Sequence, residues 1–214
     1  VDPDTKDPDL SRVFDIFRSS GQEVPLLYRL LANSPAMLEA WVGLAWPLRS
    51  QPTTSRALRE LQIMRVALLT RASFEWFAHW PAAIAAGATA QELEALSDPD
   101  ASDLFDDREK AALRCTEELI IDGAASEEAV RQLRTFFSDA ECIELLLTAA
   151  FYSCVSHTLL SLVAARTQDA ILAAQAWGNS FFAKPILVDP LFEYLELVSG
   201  PPPDIPIRVL AVED

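Results

Sequence analysis

Residues 59–79 read RELQIMRVALLTRASFEWFAH, and how this stretch folds decides the architecture. Glu75 and His79 are four residues apart, so on a helix they share one face. Glu60 lies fifteen residues before Glu75. Along one unbroken helix, at about 1.5 Å per residue, the two would be roughly 22 Å apart and unable to cooperate. Thr70 to Ser73 interrupts the pattern with hydroxyls that can cap a new helix. The stretch is therefore expected to form two antiparallel helices, in which positions whose numbers sum to about 140 face each other. Glu60 then faces His79, with Glu75 one turn away. Two carboxylates and an imidazole among apolar neighbours have shifted proton affinities and can exchange protons with a substrate.

Outward from this stretch, the 214-residue chain is 50% hydrophobic with only 6 glycines, and Ala and Leu are abundant. That composition supplies one domain with a substantial core and favours helix over sheet. A net charge of −15 without any Lys/Arg cluster excludes nucleic acid and anionic membrane surfaces as partners, since both need concentrated positive charge. Cys115, Cys142 and Cys154 are odd in number and contain no CxxC pair, so neither a disulfide framework nor a zinc cluster is suggested. They read as small apolar residues in a reducing compartment. Residues 145–165 carry no charged side chain, but Tyr152, Ser153, Ser156, His157, Thr158 and Ser161 are polar for a lipid-facing span. A helix buried in a homo-oligomer is expected instead. The chain does not open on a secretory pattern, so a cytoplasmic location is expected.

An acidic lead-in over residues 1–9 precedes a helical domain expected over 10–183. Helices are read from Leu10 to about Gly21, around Val24–Ala32, and from Pro35, at a first helical position, to about Leu48. The central pair follows, the second member closing on Gly87 as a left-handed cap. A short acidic helix is read over 89–97, and another over 108–121 behind a capping Asp107. The next runs from Ser126 to Phe137, and a long apolar helix from Ser138 to about Arg166. Residues 169–182 add a last helix. Beyond Lys184 six prolines fall between Pro185 and Pro206, so 184–214 reads as a Pro-rich acidic extended arm.

The pattern Glu60-x11-Ala72-x2-Glu75-x3-His79, with its surroundings RELQIMRVALLTRASFEWFAHWPAAIAAGATAQELEAL and FDDREKAALRCTEELIIDGAAS, resembles the carboxymuconolactone decarboxylase and AhpD-like family. Family signatures place a Glu before a Cys-x2-Cys-x3-His segment; here Ala72 and Glu75 stand at the two cysteine positions. The resemblance covers roughly residues 10–167. It implies an all-α AhpD-like bundle, a homo-oligomer (dimer, trimer or hexamer), and a decarboxylase-like branch that works without metal or organic cofactor. Without the nucleophilic and resolving thiols, peroxide reduction is not expected.

The expected activity is a cofactor-independent lyase acting by proton transfer on a small oxygenated ring substrate, such as a lactone acid or aromatic metabolite. His79, Glu75 and Glu60 are the candidate catalytic residues. Arg71, Tyr152, His157 and Trp76 are candidate substrate-binding residues, with Arg65 a further anion anchor. The competing readings are a hydrolase or isomerase using the same residues, or a non-catalytic oligomeric binding protein. Each residue also has a structural alternative. Glu60 could pair with Arg56 or Arg59, Glu75 and His79 could be an ordinary helix pair, and His157 a satisfied interface residue. A metal site from Glu60, Glu75, His79 and His157 would lack the Glu-x-x-His pairs of di-iron bundles.

Overall fold

The computed structural model describes residues 1–164 apart from Pro3, Ser20 and Gln22. The expected 169–182 helix and the 184–214 arm lie outside the described residues. The chain divides into two compact units, Val1–Thr158 and Leu159–Asp214, and the first holds the helices up to most of the last described one.

The described residues are helical without a strand. In chain order they form α1 (Pro8–Ser19), α2 (Leu26–Leu31), α3 (Pro35–Ser50), α4 (Arg56–Thr70), α5 (Ser73–Ala85), α6 (Ala90–Ala95), α7 (Asp107–Ile121), α8 (Glu127–Phe136) and α9 (Asp139–Ala164). Helix α4 is the hub: it packs along both α5 and α7, α7 packs on α8, and α1 and α2 pack on α3. Its residues 58–67 are all buried, charged ones included. Such a segment is tolerated only if each polar group finds a partner. Gln62 donates to the Thr116 hydroxyl at 2.8 Å, and Arg59 to the Thr54 carbonyl and hydroxyl. Arg65 donates to the Leu96 carbonyl and pairs with Glu117 at 2.7 Å. Arg65 thus ties α4 to α7.

The α4–α5 reversal occurs where expected but for a different reason. Arg71 adopts the left-handed conformation (φ 56°, ψ 33°), and the amide of Ala72 bonds back to the carbonyl of Ala67 at 2.9 Å. This is the backbone closure usually made by glycine. Helix α5 begins at Ala72 without a side-chain cap, while the Thr70 hydroxyl bonds back to Val66 at 2.7 Å. A backbone twist, and not a hydroxyl cap, makes the break.

Other termini follow local chemistry. Ser55 and Ser126 cap α4 and α8 through the amides of Leu58 and Ala129. Thr89 and Glu92 form a reciprocal capping box on α6. Asp106, one residue before the expected Asp107, forms the same device with Glu109 on α7, because its carboxylate reaches the third amide of the helix. Gly87 takes φ 109° after α5, as its position predicts.

A core of Leu58, Ala112, Cys115, Leu133, Phe137 and Leu145 joins α4, α7, α8 and the start of α9. From α9, Glu144 accepts the backbone amides of Thr53 and Thr54, each at 3.0 Å, and both hydroxyls. That carboxylate anchors the loop that launches α4. By length and composition α9 could cross a membrane, yet Leu145, Ala149, Tyr152 and Val155 are buried on its inner side.

Candidate functional site

The hairpin delivers Glu60 to His79. Glu60 Oε2 is 2.8 Å from His79 Nδ1, while its other oxygen pairs with Arg56 one turn earlier on α4. Glu75, one turn before His79 on α5, places a carboxylate oxygen 3.6 Å from the opposite ring nitrogen, Nε2. The imidazole is therefore held between two carboxylates, one on each nitrogen. Glu60 is fully buried and Glu75 is 4% exposed. Tyr152 of α9 closes the cluster, its ring edge-on to the imidazole with centroids 4.9 Å apart.

Because a carboxylate can only accept, the Glu60 bond puts the ring hydrogen on Nδ1 and leaves Nε2 to exchange protons. Burial pushes the Glu75 carboxyl up toward its neutral form, against the opposing pull of His79 and Arg49. Burial also raises the Tyr152 phenol, so it is a neutral donor at physiological pH. A carboxyl that burial shifts toward its neutral form beside Nε2, and the Glu60 acceptor on Nδ1, give the two nitrogens different tasks.

His79 reaches solvent through an open cavity of about 630 Å³. Phe17, Pro25, Ala78 and Ala82 supply apolar wall, and Glu23, Arg49, Arg56 and His79 the polar groups. Glu60 and Glu75 do not line it, so of these three residues His79 is the one that faces the cavity.

Residues 35–118, spanning both arms of the hairpin, match the carboxymuconolactone decarboxylase family model. Over that segment the chain is similar to the carboxymuconolactone decarboxylase family. Among proteins of curated function none matches the sequence. Three solved structures share the fold. One is a protein of unknown function from Agrobacterium tumefaciens, described as a putative antioxidant defence protein AhpD. It is 18% identical with a TM-score of 0.56, over 62% of this chain and 91% of that one. Another is an uncharacterized peroxidase-related protein from Silicibacter sp. TM1040, 18% identical with a TM-score of 0.64 over 75% of this chain and 85% of that one. The third is a cysteine-to-alanine variant of the debrominase Bmp8 in complex with 2,3,4-tribromopyrrole. It is 16% identical with a TM-score of 0.62 over 91% of this chain and 95% of that one.

Within this family segment the expected trio of Glu60, Glu75 and His79 is brought together, and Tyr152 joins it from outside. The remaining expectations are not gathered there. Arg71 is spent on the left-handed turn and is exposed. His157 is exposed on α9, where its Nδ1 lies 2.8 Å from the Ser153 carbonyl of its own helix. Trp76 is buried against Trp80, with centroids 5.6 Å apart, and does not line the cavity. With His157 on the exposed side of α9, the four-residue metal set does not assemble. Among the described residues no His, Cys, Asp and Glu cluster has metal-holding geometry.

Arg49 was not legible as a site residue. It sits in the last turn of α3, where basic residues are common for helix-dipole reasons alone. Only tertiary packing carries it beside Tyr28, whose hydroxyl lies 3.4 Å from its guanidinium, and beside Tyr152.

Proposed function

We propose that this protein is a small-molecule enzyme of the decarboxylase-like type, a lyase that works by proton transfer with its own side chains on a small oxygenated ring acid. The observation that carries this reading is the imidazole of His79 held by Glu60 on Nδ1, facing Glu75 on Nε2, and opening onto a cavity. A sealed pair with no adjoining space would have favoured a purely structural role. The family match and the debrominase of the same fold, bound to a substituted five-membered ring, support a small-molecule reaction.

Loss of carbon dioxide from a ring acid breaks one carbon–carbon bond and leaves its electron pair delocalised onto a conjugated carbonyl oxygen. Nε2 of His79 takes a proton from Glu75 and delivers it to the carbanionic carbon, and Glu75 is recharged from water by way of His79, the member of the pair that lines the cavity. Glu60 holds the ring and offsets its positive charge while the proton is aboard. Thiol-based peroxide reduction does not fit the same site, because Ala72 and Glu75 stand where the two sulfurs would be. Cys115 lies in the core with its thiol pushed up to about 11 by burial, too high for a useful thiolate.

The test is a panel of lactone acids and aromatic ring acids, followed by carbon dioxide release and by deuterium incorporation in heavy water. A substrate should yield one carbon-bound deuteron per carbon dioxide. His79→Ala and Glu75→Gln should each reduce turnover at least a hundredfold, in line with general acid–base contributions of about 10² to 10⁴. Undiminished turnover in both variants would overturn the assignment. Product formation without carbon dioxide would point to hydrolysis or isomerisation by the same groups. The reading retains a homo-oligomer, supported by the exposed Ile143 and Leu147 on α9, and a monomer in size-exclusion chromatography would contradict that part.

A further inference from the structure

Two guanidinium groups and the His79 imidazole meet at the cavity, and their partners are unequal. Arg56 is committed to Glu60, whose other oxygen holds His79. Arg49, on the adjoining end of α3, lines the same cavity but forms no ion pair among the described residues. Its described hydrogen bond is the long one, 3.4 Å, to the neutral Tyr28 hydroxyl. The buried Tyr152 hydroxyl also lies beside the guanidinium and interacts with it, again as a neutral group. Glu23 also lines the cavity, but it is exposed, where water screens its charge.

A half-buried guanidinium without a carboxylate is costly unless something anionic completes it. Apart from the exposed Glu23 the cavity lining offers none, although the chain carries 32 acidic residues against 17 basic ones. Glu75, the buried acid that Arg49 interacts with, is pushed by burial toward its neutral form, which weakens the compensation it offers. Beside these groups the wall is apolar, formed by Phe17, Pro25, Ala78 and Ala82. A cation next to an apolar wall suits a flat ring bearing one anionic oxygen group.

We propose that Arg49, positioned by the Tyr28 and Tyr152 hydroxyls beside it, is the anion-binding subsite of the cavity, and that it selects ring compounds carrying a carboxylate or an ionised ring oxygen. This rests on the cavity being the substrate site proposed above, and it moves the anion anchor from the exposed Arg71 to α3. The ring lies along the Phe17 and Ala82 wall, and its reacting carbon faces His79.

Benzoate and its neutral isostere benzamide are the probes, titrated by calorimetry and by the shift of the His79 imidazole resonances. Benzoate is expected to bind at least tenfold more tightly than benzamide. Arg49→Gln should remove that preference, Arg49→Lys should restore part of it, and Arg71→Gln should leave it intact. His79→Ala should keep the preference, which separates this inference from the proton-transfer reading, whose failure would show only in turnover. If Arg49→Gln does not fold, the benzoate-to-benzamide ratio of the wild-type protein and of Arg49→Lys still decides. Equal binding of the two probes, no binding of benzoate at 20 mM, or an unchanged preference in Arg49→Gln would each overturn the proposal. So would a loss in His79→Ala as large as in Arg49→Gln, because it would place the anion on the imidazole.

Discussion

Replacing Glu60 by Gln tests the site without a substrate. In the wild-type protein the carboxylate takes the hydrogen of His79 Nδ1 at 2.8 Å and leaves Nε2 bare. A Gln amide in the same place can instead donate its N–H to Nδ1, which moves the ring hydrogen to Nε2, the nitrogen that must exchange protons. The corresponding Asp-to-Asn change in the serine protease triad lowers turnover about 10⁴-fold by this tautomer effect. General acid–base terms of about 10² to 10⁴ set the range expected here. Stability should fall as well, because Glu60 is fully buried while Arg56 is partly exposed and can turn to water. Exchanging charge-assisted bonds for neutral ones costs about 1–3 kcal/mol. The chain has only two histidines, and His157 is exposed on α9, so imidazole nitrogen shifts by NMR assign without ambiguity. Wild-type His79 should show hydrogen on Nδ1 at neutral pH, and Glu60→Gln should show it on Nε2. An unchanged tautomer with unchanged melting would refute the reasoning.

Three further outcomes are expected. Arg71→Gly should stabilise the fold by about 0.5–1 kcal/mol in denaturant titration: a non-glycine residue in the left-handed region costs roughly 1–2 kcal/mol, of which glycine returns about 0.5–1 through unfolded-chain entropy. The variant should also keep its ligand binding, which an anchoring role for Arg71 would forbid. Glu75→Gln should match the wild type near pH 4 and become the more stable protein as pH rises. Burial raises the folded-state affinity of Glu75 for its proton, so the wild type loses stability above the unfolded value until the folded value is passed. Each unit of elevation is about 1.4 kcal/mol, and melting curves against pH that run parallel would contradict this. Glu144→Gln should lower stability by about 1.5–3 kcal/mol at pH 7. Burial of that carboxyl is outweighed by its bonds to Thr53 and Thr54, which hold it below the usual range, so its contribution fades only as pH falls through that lowered value. A variant as stable as the wild type at neutral pH would show that the α3–α4 loop needs no anchor.

Among the described residues the helices and the central pairing were legible in local sequence. Glu60, Glu75 and His79 are placed by helical spacing plus one reversal, and both are local properties of residues 59–79. Capping signals at Ser55, Thr89 and Ser126 are equally local, as they depend on a hydroxyl three residues from an amide. What the sequence could not show is how a long side chain is used once neighbouring helices arrive. Arg65 and Arg71 read as anchors, but α7 claims the first and the turn claims the second. His157 read as a pocket residue, yet which side of an evenly apolar α9 faces inward is decided by what packs against it. Arg49 and Glu144 gave no signal, because their roles depend on contacts across 21 and about 90 residues of chain, to Tyr28 and to Thr53 and Thr54. Periodicity and caps report on the nearest turn or two of backbone. Charge placement in a cavity is a property of three or four helices at once, so only the tertiary structure could set Arg49 on the same cavity as His79.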